Sequence, residues 1–335
     1  MSMLIEHPYL MFLGDAPDEL AAKVAIGVHY WRPDWCLGQT RLDGCAADLG
    51  LPDLTIRNAA KSGCKTMVIG VANRGGVIPE TWVGSILEAL DCGLHIAAGL
   101  HQRLIDIRVI ADAAEKNSCK LIDARHPTRE FNVANGIKRS GRRLLTVGTD
   151  VSVGKMFTSL AIEREMLARK LKASFVATGQ TGIFIAGDGV SVDAVISDFV
   201  SGAAEWLSPE AAPDHWHIIE GQGSLFHTSY AGVTLGLIHG SQPDALVLCH
   251  DVARSQMRGL VGRAPPDLKE CISANEWAAK IVNPNAKVIG ISLNTKSLSN
   301  EEAEKVIETA KDDYGLPVCD PVRTDVSSIV DALGV

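Results

Sequence analysis

The sequence predicts an α/β protein of two domains, each built on a mostly parallel sheet that is covered by helices. Three observations lead to this prediction. The chain has 335 residues, which is long for one average domain. Short apolar runs alternate with longer helix-like segments along the chain, as in sheets whose strands are joined by crossover helices. A polar, turn-rich and basic stretch at 125–143 separates two such series. We therefore predict domains at 1–140 and 141–335.

The first series contains four predicted strands and three predicted helices. The strands are at 9–14, 65–71, 94–98 and 120–123, and the helices are at 18–31, 80–92 and 105–116. The segment at 73–76, Asn-Arg-Gly-Gly, predicts a turn. The first strand ends in Gly14-Asp15 and lacks the G-x-G-x-x-G fingerprint of dinucleotide-binding domains. An NAD site would therefore rest on fold analogy alone.

The second series contains six predicted strands and five predicted helices. The strands are at 144–147, 174–177, 217–220, 245–249, 287–293 and 317–319, and the helices are at 155–171, 194–205, 275–281, 299–314 and 325–333. Each segment has the length typical of its type. The second domain is therefore expected to repeat the architecture of the first.

Composition and charge exclude several classes of protein. Hydrophobic residues make up 46% of the chain, which excludes wholesale disorder. The formal charge of −8 argues against a general binder of nucleic acids or membrane surfaces. No apolar run reaches the roughly 18 residues of a membrane span, so we expect a cytoplasmic protein. The eight cysteines are scattered without a C-x-x-C pair, which predicts free thiols and not a disulfide framework or zinc site.

The strongest motif is a glycine-lysine loop at 144–156, with the sequence LLTVGTDVSVGKM. An apolar strand leads into it, and a long predicted helix begins at the lysine. Glycines let backbone N–H groups approach a phosphate, the helix N-terminus adds positive potential, and the lysine adds a charge. The motif predicts a phosphate-binding loop with these contact residues: Gly148, Thr149, Asp150, Ser152, Val153, Gly154, Lys155 and Met156.

Two features separate this loop from the common Walker A pattern. The interval between Gly148 and Gly154 is one residue longer, and Met156 stands where the pattern has Ser or Thr. That hydroxyl normally binds Mg²⁺, and a thioether is a poor ligand for this hard cation. Thr158, two residues further on, cannot take the same position. We therefore predict no metal and a diphosphate ligand that is not hydrolysed, such as coenzyme A.

Charged side chains follow other strands of the second domain. Glu220 is at the tip of the strand at 217–220 and His227 follows seven residues later, and the two are our candidates for the general base. The amides at 221–224 are candidate donors to an oxyanion. Arg254 and Arg258 are candidate substrate-binding residues because guanidinium groups suit carboxylates, and Asp188 is a third candidate.

Simpler structural roles are available to the same residues. Glu220 could cap a helix or pair with an arginine, and His227 could be a buried histidine with satisfied hydrogen bonds. Arg254 and Arg258 would share one face if their segment were helical, and they could then be a solvated pair. These roles stay open beside the catalytic ones.

Three segments, GTDVSVGKM, ATGQTGIFIAGDGVSVDAV and IIEGQGSLFH, resemble a family of two-domain P-loop proteins that includes D-glutamate N-acetyltransferase. The resemblance covers nearly the whole chain, and it implies a Rossmann-like N-terminal domain before the P-loop domain. It also implies acetyl-CoA as co-substrate, D-glutamate as acceptor, and a place in D-amino acid catabolism, with the product passing to a partner enzyme. Met156 belongs to this family's pattern, whereas EGQGS is similar to the EGAGG segment of the more distant dethiobiotin synthetase.

Two other functions remain as alternatives. An ATP- and Mg²⁺-dependent ligase of the dethiobiotin synthetase type would share the loop spacing, but Met156 counts against it. A nucleotide-binding module without chemistry would not need polar groups at three strand ends. In every case we expect a small-molecule ligand, no nucleic-acid or membrane partner, and a homo-oligomer, the commonest assembly of soluble proteins.

Overall fold

The computed structural model describes residues 5–73, 75–127 and 129–335. The strands of this part of the chain are β1 (Tyr9–Gly14), β2 (Cys36–Arg41), β3 (Thr66–Ile69), β4 (His95–Ala98), β5 (Leu121–Asp123), β6 (Arg142–Gly148), β7 (Ala173–Val176), β8 (Trp216–Ile219), β9 (Ala245–Asp251), β10 (Lys287–Asn294) and β11 (Val318–Cys319). They form two sheets, with the orders β2-β1-β3-β4-β5 and β11-β10-β9-β6-β8-β7. Every neighbouring pair is parallel, so the predicted α/β class is confirmed. Arg74, in the turn predicted at 73–76, lies outside the described residues.

Helices connect the strands in both sheets. They are α1 (Lys23–Trp31), α2 (Ile56–Lys61), α3 (Glu80–Asp91), α4 (Arg108–Lys116), α5 (Lys155–Ala168), α6 (Gln180–Ala186), α7 (Val200–Leu207), α8 (Ala231–Ser241), α9 (Leu268–Lys280), α10 (Asn300–Tyr314) and α11 (Ser327–Asp331). Short 3₁₀ turns lie between some of these elements. None of the helices that the structure describes is both long and apolar enough to cross a membrane.

The chain divides into two compact units. One contains the described residues up to 127 together with Gly179–Ala194, and the other contains Arg129–Thr178 and Val195–Val335. The segment Gly179–Ala194 therefore leaves the second series of the sequence and packs with the first sheet. Within the first unit, the Tyr9 hydroxyl donates to the carbonyl of Phe184 at 3.2 Å, which attaches α6 to β1.

The predicted strands all occur, and their ends differ from the predicted ones by at most two residues. β1 is buried along its whole length, as expected for a strand that is covered on both faces. The sequence analysis missed β2, α2, α6 and α8. Glycines interrupt α6 and α8, and each glycine lowers helix propensity by about 1 kcal/mol. Burial of Ile183–Ile185 outweighs this loss in α6, which the local sequence cannot show.

Arg143 ties β6 to the segments beside it. The side chain is fully buried, and its guanidinium donates to five backbone carbonyls at 3.0–3.3 Å, those of Arg139, Ser140, Gly141, Ser208 and Pro209. One side chain thus satisfies carbonyls from the connection before β6 and from the turn after α7. The carbonyls of Arg139 and Gly141 have no other donor among the described residues, whereas those of Ser140 and Ser208 also accept from Ala211 N–H and from Arg139 Nε.

Replacing Arg143 by methionine is expected to lower the free energy of unfolding by about 3 kcal/mol, because two buried carbonyls lose their donor and the bridge between the two segments is lost. Urea unfolding followed by circular dichroism measures this change. The matched control is Arg142→Met, since Arg142 is the exposed neighbour on the same strand. We expect the control to cost less than about 1 kcal/mol, and equal losses in both variants would contradict the role of Arg143.

Candidate active site

The predicted phosphate-binding loop lies between β6 and α5, at the carboxyl edge of the second sheet. β6 is a central strand with β8 on one side and β9 on the other, so three strand ends meet at this edge. Ligands of open α/β sheets bind at such a place. Gly154 ends the loop with a φ of +103° and directly precedes Lys155, the first residue of α5. This left-handed conformation favours glycine, which accounts for the glycine in the motif.

The backbone N–H groups of the loop fall into two sets. Thr149 donates to the carbonyl of Cys249 at 3.1 Å, and Val151 donates to the Asp150 carboxylate at 2.7 Å. The N–H groups of residues 152–156 have no acceptor within the part of the chain that the structure describes. They lead into the N-terminus of α5, where the helix dipole is positive. Phosphate binding by the N–H groups of the loop stays a prediction, with those of residues 152–156 the best placed at the start of the helix.

Lys155 folds back over the loop. Its Nζ donates to the carbonyl of Asp150 at 2.8 Å, and the side chain is buried. The stem of the lysine lies against Gly221, where a Cβ atom would be 3.0 Å from Lys155 Cδ and 1.7 Å from the carbonyl oxygen of Thr146. Residue 221 must therefore be glycine, because a Cβ atom there would overlap the Thr146 carbonyl oxygen. The Lys155 ammonium is therefore held in place beside the loop.

For acetyl-CoA, the ligand predicted from the sequence, the affinity is expected to fall above about pH 8. Burial lowers the pKa of Lys155 to about 8, even though nearby acidic groups, among them Cys249 and Asp150, act in the opposite direction. Only the ammonium form attracts a phosphate. The dissociation constant should therefore be flat below this pKa and rise above it, by at most about tenfold per pH unit.

Calorimetric titration with acetyl-CoA between pH 7 and 9.5 tests this expectation. The control is Lys155→Arg, because the guanidinium stays charged throughout this range. Its affinity should vary little with pH. A flat profile for the unaltered protein, or the same decline in the arginine variant, would contradict the assignment to Lys155.

Asp150 organises the loop from inside the protein. Its carboxylate is fully buried, and Oδ2 accepts hydrogen bonds from Arg254 Nη1 at 2.8 Å and from the backbone N–H of Arg258 at 2.7 Å. Oδ1 accepts from Val151. The carboxylate therefore joins the loop to the segment that follows β9. Asp150 was predicted to contact phosphate, and a direct contact of this kind stays a prediction.

The two arginines after β9 do not form the helical pair considered in the sequence analysis. Their segment, 252–267, consists of turns and irregular backbone, and Asp150 contacts the side chain of Arg254 and the main chain of Arg258. Arg254 also pairs with Asp251 at 3.2 Å, so its charge is already compensated. The Arg258 side chain is exposed and makes no hydrogen bond to the residues that the structure describes. Arg258 is thus the better placed of the two for a substrate carboxylate.

Glu220 directly follows β8 and is buried beside the loop. Its Oε2 accepts from the N–H of Thr178 at 3.0 Å, and its carbonyl accepts from the Thr178 hydroxyl at 2.6 Å. The Glu220 charge is near enough to Lys155 to raise the pKa of the lysine. A buried carboxylate at a strand end beside a ligand loop suits a general base. This role stays a prediction.

His227 has both ring nitrogens engaged within the protein. Nδ1 accepts from the N–H of Ser229 at 3.2 Å, so the proton sits on Nε2, which lies 3.0 Å from the carbonyl of Arg258. The ring also lies against Tyr230 at a tilt of 33°, and Nε2 is 3.9 Å from Asp150 Oδ1. Both ring nitrogens thus have partners within the protein. Catalysis by His227 stays a prediction, and we take Glu220 as the first candidate for the base.

Other predicted contacts have protein partners too. The Gly221 N–H donates to the Thr146 hydroxyl at 2.9 Å, so the expected oxyanion donor at Gly221 is not available to a ligand. The Thr149 hydroxyl lies 2.9 Å from His250 Nδ1. Asp188 belongs to the first unit, where its carboxylate accepts from the N–H of Gly189 at 2.8 Å. Substrate binding by Asp188 stays a prediction.

The start of α5 lacks a hydroxyl that could bind magnesium. Met156 is the second residue of this helix. Thr158 is fully buried, donates to the carbonyl of Gly154 at 3.0 Å, and lies 2.8 Å from Ser292 Oγ. Its hydroxyl is thus used in the interior and does not replace the missing ligand. The loop retains the features for binding a diphosphate but not the oxygen ligand for Mg²⁺.

A mostly apolar cavity of about 550 Å³ adjoins the loop within the second unit. Residues of the loop, α5, β10 and the segments after β10 and β11 line it, namely Val153, Gly154, Phe157, Ser292, Leu293, Asn294, Lys296, Asp320, Pro321, Val322 and Arg323. Its volume suits a nucleoside. Most of these residues were missed by the sequence analysis, although their position after β10 and β11 follows the same strand-end rule as Glu220.

The fold and this loop define a two-domain protein with a Rossmann-like sheet and a P-loop sheet. Family models match both parts: "Domain of unknown function (DUF1611_N) Rossmann-like domain" over residues 38–127, and "Domain of unknown function (DUF1611_C) P-loop domain" over residues 132–330. The chain belongs to the DUF1611 family.

Named relatives match almost the whole chain. A D-glutamate N-acetyltransferase from Tritonibacter scottomollicae is 52% identical over 330 residues, which are 98% of this chain and 99% of the relative. Another from Pseudoalteromonas sp. is 48% identical over 328 residues, with the same coverage. A crystal structure of a DUF1611 family protein from Anabaena variabilis ATCC 29413 is 30% identical, with a TM-score of 0.84 over 98% of this chain and 99% of that one. The predicted family membership is confirmed.

Proposed function

We propose that the chain transfers the acetyl group of acetyl-CoA to the amino group of D-glutamate. It is an enzyme of a family whose curated relatives are named D-glutamate N-acetyltransferase, and these relatives support both the acetyl transfer and the acceptor. One observation carries the choice of donor. The loop offers unpaired N–H groups and a held ammonium for a diphosphate, while Met156 removes the ligand that nucleotide hydrolysis requires.

The donor binds with its diphosphate on the N–H groups of residues 152–156 and on Lys155. The adenosine half occupies the cavity beside Val153 and Phe157, where apolar walls suit a nucleobase. The thioester arm then extends from the loop towards Glu220. In this arrangement the loop positions coenzyme A, which bears the acetyl group, and the phosphates themselves do not react.

The transfer needs one base and no covalent enzyme intermediate. D-glutamate enters as an ammonium ion, and the Glu220 carboxylate takes one proton so that the amine can attack the thioester carbon. A C–N bond forms, and the tetrahedral intermediate loses the second amine proton to solvent. It then collapses with cleavage of the C–S bond, and the coenzyme A thiolate leaves and takes the proton held by Glu220, which restores the carboxylate.

A cysteine nucleophile is not needed for this reaction. The thiol beside the loop is Cys249, whose thiolate would raise the pKa of Lys155. Burial raises the pKa of Cys249 itself to about 11, which favours the thiol form. It is fully buried and donates to the Thr158 hydroxyl at 3.4 Å. The thiol form does not attack thioesters efficiently. Direct transfer between the two substrates is therefore the simpler chemistry.

The other two functions have weaker support. A ligase of the dethiobiotin synthetase type would require an oxygen ligand for Mg²⁺ at position 156, where the chain has methionine. A nucleotide-binding module without chemistry is at odds with relatives that are enzymes. A role in D-amino acid catabolism and a homo-oligomer in the cytoplasm stay predictions from the sequence.

An assay of thiol release tests the proposed function. The purified protein is mixed with acetyl-CoA and either D-glutamate or L-glutamate, and the product is identified by mass spectrometry. We expect free coenzyme A and N-acetylglutamate with the D enantiomer. A parallel reaction contains ATP and Mg²⁺ in place of acetyl-CoA. Phosphate release there, with no thiol release in the first reaction, would reject the proposal in favour of a ligase.

A further inference from the structure

Two cationic side chains, Lys296 and Arg323, line the cavity beside the loop. Lys296 is exposed, and its head group has no hydrogen bond or ion pair among the residues that the structure describes. Arg323 donates only to neutral acceptors, which are the carbonyls of Thr295 and Leu298 and the side-chain oxygen of Asn300. These bonds orient the guanidinium and leave its charge without an anionic partner.

The carboxylate of Asp320 also lines this cavity, but its oxygens are used within the protein. Oδ2 accepts from the N–H and the hydroxyl of Thr295 at 3.0 and 2.5 Å. Oδ1 accepts from the backbone N–H groups of Val322 at 2.9 Å and Arg323 at 3.3 Å. Asp320 therefore shapes the turn that carries Arg323 and forms no ion pair with either cation. The two positive charges remain for a ligand.

We infer that Lys296 and Arg323 bind a phosphate on the ribose of the ligand, so that the site selects a 3′-phosphorylated adenosine nucleotide. The inference rests on the proposed function and deepens it. The loop already accounts for a diphosphate, and the apolar walls account for a base. Two further cations beside the base predict a third anionic group, which coenzyme A carries on its ribose. ATP and ADP lack this ribose phosphate, so the loop alone would not distinguish them from coenzyme A.

Calorimetric titration with coenzyme A and with 3′-dephospho-coenzyme A tests the inference. The unaltered protein should bind the dephosphorylated ligand at least about tenfold more weakly, as expected when charge-assisted hydrogen bonds are lost. Lys296→Ala should weaken binding of coenzyme A by roughly tenfold and leave binding of the dephosphorylated ligand nearly unchanged. Lys296→Arg should retain the preference.

A second variant and a matched control complete the experiment. Arg323→Gln removes the charge and keeps donors for the neighbouring carbonyls, and it should show the same selective loss. Lys287→Ala alters an exposed lysine at the opposite end of β10 and should change neither affinity. Equal weakening of both ligands by Lys296→Ala, or equal affinity of the unaltered protein for both, would overturn the inference and leave the proposed function standing. If neither form of coenzyme A binds while ATP does, the proposed function itself fails.

Discussion

Replacing Lys155 by methionine is expected to weaken acetyl-CoA binding by about 100-fold, the effect of losing a held ammonium beside a diphosphate. Methionine retains an unbranched stem that can lie against Gly221, so the loop should keep its shape. The substitution removes the ammonium and, with it, the hydrogen bond to the carbonyl of Asp150. Calorimetric titration gives the dissociation constant, and the Michaelis constant for acetyl-CoA should rise with it.

The control for this variant is Lys287→Met, which removes the same charge from the surface at the start of β10. It should leave the affinity for acetyl-CoA within about twofold of the unaltered protein, because exposed charges at this distance are screened by salt. Circular dichroism checks that both variants are folded. An unchanged dissociation constant in Lys155→Met would remove the loop from donor binding.

Replacing Glu220 by glutamine is expected to lower kcat by roughly 10³-fold while acetyl-CoA still binds, because a general base contributes about this much. The glutamine side chain can accept the hydrogen bond from Thr178 through its own oxygen, so the strand end should keep its geometry. What it cannot do is take a proton from the amine. Steady-state rates with D-glutamate and a binding titration with acetyl-CoA separate these two effects.

Glu163 provides the matched control for this substitution. It is a buried carboxylate of the same unit, and it accepts a backbone hydrogen bond from Phe175 at 2.7 Å between α5 and β7. Glu163→Gln should leave kcat nearly unchanged, since this group is not part of the site. Full activity of Glu220→Gln would reject Glu220 as the base. A similar loss in both variants would indicate damage to the fold and would also contradict the assignment.

The parts of the site that local sequence dictates could be predicted. A glycine before a lysine, between an apolar strand and a helix, defines its own geometry within a few residues, and the structure has Gly154 and Lys155 where the motif predicts them. The position of Glu220 followed from one rule, that the carboxyl ends of parallel strands share an edge. Neither prediction required knowledge of distant contacts.

The partners within the site could not be predicted, because they come from distant parts of the chain. Asp150 and Arg254 are 104 residues apart in sequence, and nothing near either residue indicates that they meet at 2.8 Å. This pairing uses the guanidinium that was expected to bind substrate. The same holds for His227, whose Nε2 contacts the carbonyl of Arg258 across 31 residues. Such partners fix these side chains within the site, while their contact with a ligand stays a prediction.

A crystal structure of the protein with coenzyme A, and one grown with ATP and Mg²⁺, would test the central claim most directly. We expect the diphosphate of coenzyme A within about 3 Å of the N–H groups of residues 152–156 and of Lys155 Nζ, with no metal bridging its oxygens. Coenzyme A bound away from this loop, together with ATP seated on it through a six-coordinate metal ion, would contradict the account.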